Sequence, residues 1–177
     1  MLQLVTNLLF SFLGYKSYDL LSDHMLVGKK AIDYYAEAHL TEWNAFTHTL
    51  LMPTTMYGML LWIPALFNLS PKLAKNLIYA IYYFYFGHYA KINLKGAVLF
   101  LVQYYISVLL SVKKWTSRNK PRNLDLLKEG LIVSGTGLCL QEVIGHLYGG
   151  DIASRPEGVP NSILYSMYFS ATHFMNL

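Results

Sequence analysis

Charged residues are scarce in this sequence. Asp, Glu, Lys and Arg make up 14% of its 177 residues, whereas a soluble domain carries about 25%. Hydrophobic residues reach 54%. A small soluble domain cannot cover its surface with so few charges, because its surface is large relative to its volume. We therefore expect lipid, rather than water, to face much of the molecule.

Cysteine is nearly absent as well. Cys139 is the only one, which excludes an intrachain disulfide and a metal site built from several cysteines. The sequence also has no H-E-x-x-H, no P-loop and no G-x-S-x-G. The common protease, nucleotide-binding and acyl-hydrolase functions are therefore excluded.

The positive charge is concentrated in one segment between apolar stretches. Aromatic residues are abundant, with 15 Tyr and 3 Trp, and both types favour the membrane–water interface. A basic cluster in that setting indicates a cytoplasmic loop that faces anionic lipid, and nucleic-acid binding does not fit the apolar flanks. The basic residues are Lys113, Lys114, Arg118, Lys120, Arg122 and Lys128.

Long apolar stretches predict an all-α membrane bundle. A bilayer core about 30 Å thick requires roughly 20 helical residues, and the stretches are too long for strands. Since the basic loop and an N-terminal Lys pair both fit the cytoplasmic side, four crossings fit as well as five. We predict four to five apolar helices from the stretches 49–69, 76–90, 96–112, 130–148 and 160–177.

The length of the chain suits one compact domain better than two, so we predict a single domain. Its first part, 1–40, begins with an apolar run that lacks the positive start and small-residue cleavage site of a secretory signal. We predict that 1–40 is an interfacial or cytoplasmic segment and that 41–177 is the membrane-embedded helical domain.

Two histidines flank the start of the first long apolar stretch. His39 and His48 are nine residues apart, about 900° around a helix, so on one helix they would face opposite sides. They converge only if the chain turns between them. Thr41 fits the N-cap of a helix that begins near Glu42, with His48 about two turns inside it and Asn44 placed to orient His48. Alternatively, His39 is interfacial and His48 a buried, hydrogen-bonded side chain.

A second polar cluster lies within 130–148. Glu142 and His146 are four residues apart and would share one face of an α-helix. The carboxylate could ligate a metal ion or hold the imidazole, and Gly145 permits close approach of a neighbouring helix. Alternatively, the Glu and the His satisfy each other in a packed bundle. His173 is a further polar candidate in the last apolar stretch.

Ionisable residues at membrane depth are costly and therefore point to function. A charged side chain there costs roughly 2.5–3.5 kcal/mol on insertion scales. Three or four neutral imidazoles without a cysteine cluster suit iron, zinc or copper, and the spacing does not decide among them. The candidate ligands are His39, His48 and His146, with Glu142 and His173 as further candidates.

The segment YYAEAHLTEWNAFTHTLLMP has a Tyr-rich approach followed by His39, Asn44, His48 and Pro53. This pattern resembles the small membrane proteins typified by the yeast 2-hydroxy-palmitic acid dioxygenase, whose members have His, Asn, His and Pro at these offsets. The apolar spacing that follows is also similar, so the resemblance covers most of 30–177.

The later signature of that family is a Gln, a Gly-His pair, an acidic residue, a basic stretch and a Pro. The similar segment here is QEVIGHLYGGDIASRP, with Gln141, Gly145, His146, Arg155 and Pro156.

This chain departs from the family at several positions. Gly149 and Gly150 stand where the family usually has a Glu, and Asp151 is the acidic residue that could substitute for it. Glu142 falls where the family usually has an apolar residue, and Thr172 lies near a family Pro.

The resemblance implies a multi-pass endoplasmic-reticulum enzyme that depends on Fe(II). Its reaction would be the oxidative removal of one carbon from a long-chain 2-hydroxy fatty acid with O2, as in phytosphingosine breakdown. A 2-hydroxy acid can chelate iron through its carboxylate and hydroxyl and leave a position for O2. His39, His48 and His146 would be the catalytic iron ligands, supported by Asn44 and Gln141; Asp151 would be a further candidate ligand.

Two other functions fit the residues. A non-enzymatic membrane scaffold or lipid-binding bundle requires no convergence of the histidines. A small transporter could use histidine and Glu142 as a proton relay, which requires a water-filled path through the bundle.

Overall fold

The computed structural model describes residues 2–37, 39, 41–148 and 159–173. Within these ranges the chain is helical and contains no strand, so the predicted all-α fold is confirmed. A π-helical segment, Gln141–Leu147, directly continues the sixth helix. The α-helices are α1 (Leu2–Leu21), α2 (Gly28–Ala36), α3 (Glu42–Leu66), α4 (Pro71–Ile92), α5 (Leu94–Thr116), α6 (Asn123–Leu140) and α7 (Val159–Thr172).

Three helices are long and apolar enough to cross a membrane: α3, α5, and α6 with its π-helical continuation. The predicted four to five are therefore not confirmed in the described part of the chain. The stretch 76–90 belongs to α4, which is rich in Tyr, and Tyr favours the membrane interface over the hydrocarbon core. In the described range, α7 has 14 residues, fewer than the roughly 20 that a crossing requires.

The N-terminal segment packs against the rest of the bundle. Helix α1 lies along α4, with Gly14 against the backbone of Phe84 and an ion pair of 3.3 Å between Asp19 and Lys91. Helix α2 begins where the N–H of Gly28 donates to the Tyr165 hydroxyl of α7 at 2.9 Å.

Polar side chains of α5 hold α3 across a proline. Pro53 has no N–H, so the carbonyl of Thr49 loses its helical donor. The Nε2 of Gln103 donates to that carbonyl at 2.9 Å, and the hydroxyl of Ser107 donates to the carbonyl of Pro53 at 2.6 Å. Both carbonyls beside the proline therefore have a donor from α5, and α3 continues past Pro53 to Leu66.

Small residues let α3 and α6 cross at backbone distance. A Cβ added to Gly58 would lie 2.5 Å from the backbone nitrogen of Ser134, and one added to Gly130 would lie 2.7 Å from the carbonyl oxygen of Gly58. Gly130 and Ser134 form the small-xxx-small spacing that is common where membrane helices meet. This crossing sets the separation of the two helices that carry the polar segments.

Gly130→Ala should destabilise the protein by about 1–3 kcal/mol, because a Cβ there meets backbone atoms of Gly58 and Trp62 that cannot easily move. Thermal unfolding in detergent micelles measures the loss. Gly135→Ala is the matched control, since a Cβ at Gly135 meets nothing within 4 Å and alanine favours the helix. Equal melting temperatures for the two variants would contradict the close approach of α3 and α6 at Gly130.

Candidate metal centre

His39 lies on the short connection between α2 and α3. Its backbone N–H donates to the carbonyl of Ala36 at 2.9 Å. Thr41 then caps α3 by accepting from the N–H of Asn44 at 3.3 Å. The chain turns here, and the Nε2 of His39 consequently lies 3.1 Å from the Nε2 of His48. Both the turn between the histidines and the Thr41 cap are confirmed.

His146 joins the same cluster from the π-helical segment. A π-helix has i to i+5 hydrogen bonds and a wider turn than an α-helix; here the N–H of Tyr148 donates to the carbonyl of Val143 at 3.2 Å. The segment buries Gln141 and His146 and leaves Glu142 exposed. Glu142 and His146 therefore differ in environment, contrary to the common face expected for an α-helix.

Asn44 makes a polar contact with His146 of the π-helical segment. Its Nδ2 lies 3.3 Å from the Nδ1 of His146. Amide nitrogen and oxygen exchange places when the amide turns over, so either group can face the ring. With the oxygen facing it, Nδ1 carries the proton and Nε2 is the basic nitrogen. Gly145 makes room for this amide, because a Cβ there would lie 2.5 Å from the Asn44 Oδ1.

The three imidazoles form one buried cluster. His39, His48 and His146 are 3%, 4% and 1% exposed. Their ring centroids are 4.4 Å apart for His39 and His48, 4.8 Å for His39 and His146, and 5.5 Å for His48 and His146. One nitrogen of each ring lies within 4.8 Å of the other two.

This donor set fits a metal ion. Two nitrogens that each lie about 2.1 Å from one ion can be at most about 4.2 Å apart. The 3.1 Å pair of His39 and His48 meets that limit, and the other pairs, all within 4.8 Å, require a shift of at most about 0.6 Å. The three histidines could therefore bind a metal ion, and their donor type suits iron, zinc or copper.

The ring of Phe169 lies between His173 and the histidine cluster. Its centroid lies 4.8 Å from that of Phe169, which in turn lies 5.1 Å from that of His39. Burial lowers the pKa of His173, and the carboxylate of Glu42 opposes this shift. His173 and Glu142 are not among the three residues whose donor atoms lie together.

The remaining candidate positions lie elsewhere. The Nε2 of Gln141 donates to the Thr55 hydroxyl at 2.9 Å, so this side chain joins the π-helical segment to α3. Asp151 lies outside the described residues, as do Arg155 and Pro156 of the family signature.

Sequence reasoning missed two aromatic residues beside the cluster. Trp43 Nε1 donates to the carbonyl of Ile144 at 3.2 Å and thereby joins the start of α3 to the π-helical segment. Phe169 packs on His39 from α7. Trp43 lies within the segment that contains His39 and His48, so its proximity to the cluster could have been predicted. Phe169 is distant in the sequence, and only the folded structure brings it to His39.

Sequence reasoning also missed a buried histidine in α4. His88 Nδ1 lies 2.9 Å from the Ser17 hydroxyl, and its Nε2 lies 3.0 Å from the Tyr165 hydroxyl. Burial lowers the pKa of His88 to about 4. This network joins α1, α4 and α7 and accounts for the histidine as a packing element. The Gly87–His88 pair in a Tyr-rich stretch was the available signal.

No known protein family profile, no curated protein and no solved structure matches this chain.

His48→Ala should lower metal affinity at least about a hundredfold, because it removes one of three candidate ligands. Metal content of the purified protein, measured by plasma mass spectrometry, tests this expectation. His24→Ala is the control, since His24 is exposed on the turn after α1. Equal metal content in both variants would rule out the cluster as a metal site.

Asn44→Ala should weaken metal binding by about 10–100-fold, since the amide holds the ring of His146 in place. Competition with a chromophoric chelator measures the affinity. Asn119→Ala, in the exposed loop after α5, should leave the affinity unchanged. An affinity for the Asn44 variant equal to that of the control would show that the amide does not support the site.

Proposed function

We propose that this chain is an Fe(II)-dependent dioxygenase that removes one carbon from long-chain 2-hydroxy fatty acids. The observation that carries the proposal is the buried cluster of three histidines from three separate segments. The similarity of the histidine motifs to the dioxygenase family supplies the choice of iron and of substrate. The same similarity leads us to propose the endoplasmic-reticulum membrane as its location.

The chain's own residues have defined parts in this proposal. His39, His48 and His146 would hold the ion, because neutral imidazole is a ligand for iron. Asn44, with its amide turned so that the oxygen faces the ring, would keep the proton of His146 on Nδ1, which leaves Nε2 basic. Iron, when bound, would supply O2 binding, electron transfer and a charge for the carboxylate and hydroxyl of the substrate.

Burial of the cluster supports an oxidation that water would disturb. With at most 4% of each imidazole exposed, little bulk water reaches the histidines. Exclusion of water strengthens electrostatic interactions in a site and prevents side reactions of reactive species. An apolar cavity also touches His48, which suits a substrate with a hydrocarbon chain.

The proposed reaction balances without a further co-reactant. A 2-hydroxy fatty acid and O2 become a fatty acid one carbon shorter, CO2 and H2O. The bond between C1 and C2 breaks, C2 is oxidised to a carboxyl group, C1 leaves as CO2 and O2 is reduced.

The other two functions have less support. A scaffold requires no meeting of histidines, yet three of them lie together and buried. A relay through Glu142 has less support because that carboxylate is exposed and is not among the donor atoms that lie together.

Turnover of 2-hydroxypalmitic acid labelled with carbon-13 at C1 tests the proposal. Iron-loaded protein in lipid nanodiscs should release labelled CO2 and pentadecanoic acid in equal amounts under air. His48→Ala should reduce both products at least about a hundredfold, since it removes a candidate ligand. Mass spectrometry of the gas and of the extracted fatty acids measures them.

His24→Ala is the control and should turn over as the unaltered protein does. A protein that holds iron through its histidines and yet releases no labelled CO2 would overturn the dioxygenase proposal while leaving the metal site in place.

A further inference from the structure

An apolar cavity of about 400 Å³ lies between α3, the end of α6 and α7. Its volume is within the usual range of ligand pockets, and its wall is overwhelmingly apolar. Side chains of all three elements line it, among them His48, Met52 and Met59 of α3, Leu138 of α6 and Ile163 of α7.

The cavity follows the axis of α3 away from the histidine cluster. His48, Met52, Met56 and Met59 occupy successive turns of that helix. Eleven residues separate the first from the last, which is about 16 Å of helix. Half of a hydrocarbon core about 30 Å thick is about 15 Å, so the wall that α3 contributes is about as long as an acyl chain in one leaflet.

The mouth of the cavity opens on a surface that can face lipid. Leu138 of α6 and Ile163 of α7 both line the cavity, and they are 51% and 56% exposed. Helix α6 is one of the three helices that can cross a membrane. Glu142 and Ser162 give the same mouth a polar portion. A mouth lined by both polar and apolar side chains fits an amphiphile that enters from the bilayer rather than from water.

Methionine forms much of the inner wall. Met52, Met56, Met59 and Met167 all line the cavity. Methionine side chains are unbranched and adapt to irregular apolar ligands, so this wall can adjust to a flexible hydrocarbon. No Lys or Arg lines the cavity in the described part of the chain, so an acidic head would find positive charge only at the metal ion that the proposed function places at His48.

We propose that this cavity binds the hydrocarbon chain of a single-chain carboxylic lipid. The lipid enters sideways from the bilayer between α6 and α7, past Leu138 and Ile163, with its head at His48 and its tail end at Met59. Met59 thereby limits the length of chain that the site accepts. The inference rests on the proposed function for the chemistry of the head, whereas the binding of the chain is tested separately from turnover.

Photo-crosslinking with palmitic acid that carries a diazirine at its tail end tests the path. The protein is reconstituted in phosphatidylcholine nanodiscs, irradiated and mapped by peptide mass spectrometry. Label should appear on the peptide that contains Met56 and Met59. Leu138→Trp should reduce that label about tenfold, because the indole closes the mouth.

Leu110→Trp is the matched control, since Leu110 of α5 is 49% exposed, as Leu138 is 51%, but lies outside the cavity. It should label as the unaltered protein does. Equal labelling of the two tryptophan variants, or label confined to lipid-facing positions outside the cavity, would overturn the proposal.

Met59→Trp tests the limit on chain length. It should reduce labelling by the palmitic acid probe about tenfold and leave labelling by a decanoic acid probe unchanged, because only the longer chain reaches Met59. Equal loss or equal retention of both probes would contradict a length limit at this residue. Cavity labelling as expected in a protein that releases no labelled CO2 would retain the cavity and reject the dioxygenase.

Discussion

The close contact of α3 with α6 positions the candidate metal centre. Gly58 and Gly130 bring the two backbones together away from the histidines. Gly145 lets Asn44 approach the π-helical segment at the end of the pair that carries the histidines. His48 and His146 belong to these two elements, so their separation is set by the helix contact. His39 then needs only the short turn before α3 to complete the cluster.

Hydrogen bonds between the helices hold this arrangement in place. Within hydrocarbon, a backbone group without a hydrogen bond costs several kcal/mol, so neighbouring helices must supply the partners. Gln103 supplies one to the Thr49 carbonyl, and the Thr49 hydroxyl in turn donates to the carbonyl of Ser170 at 3.0 Å. Helices α3, α5 and α7 are thereby joined one residue beyond His48, which limits the movement of that imidazole.

Residue order alone predicts part of this site, and tertiary contact decides the rest. Helical periodicity requires a turn between His39 and His48, and Thr41 identifies where the helix begins. The target of Asn44 could not be predicted, because it depends on how α6 crosses α3. The predicted four to five crossing helices are not confirmed in the described residues, where three are long and apolar enough. Stretches of aromatic residues count as apolar in a sequence and yet favour the membrane interface.

The π-helical segment determines the angle at which His146 projects from the end of α6. A π-helical turn, with its i to i+5 hydrogen bonds, holds more residues than an α-helical turn. An α-helix over the same residues would therefore carry the imidazole of His146 to a different angle around the helix axis. The hydrogen bonding of Gln141–Leu147 thus contributes, together with the helix contact, to placing His146 beside His39 and His48.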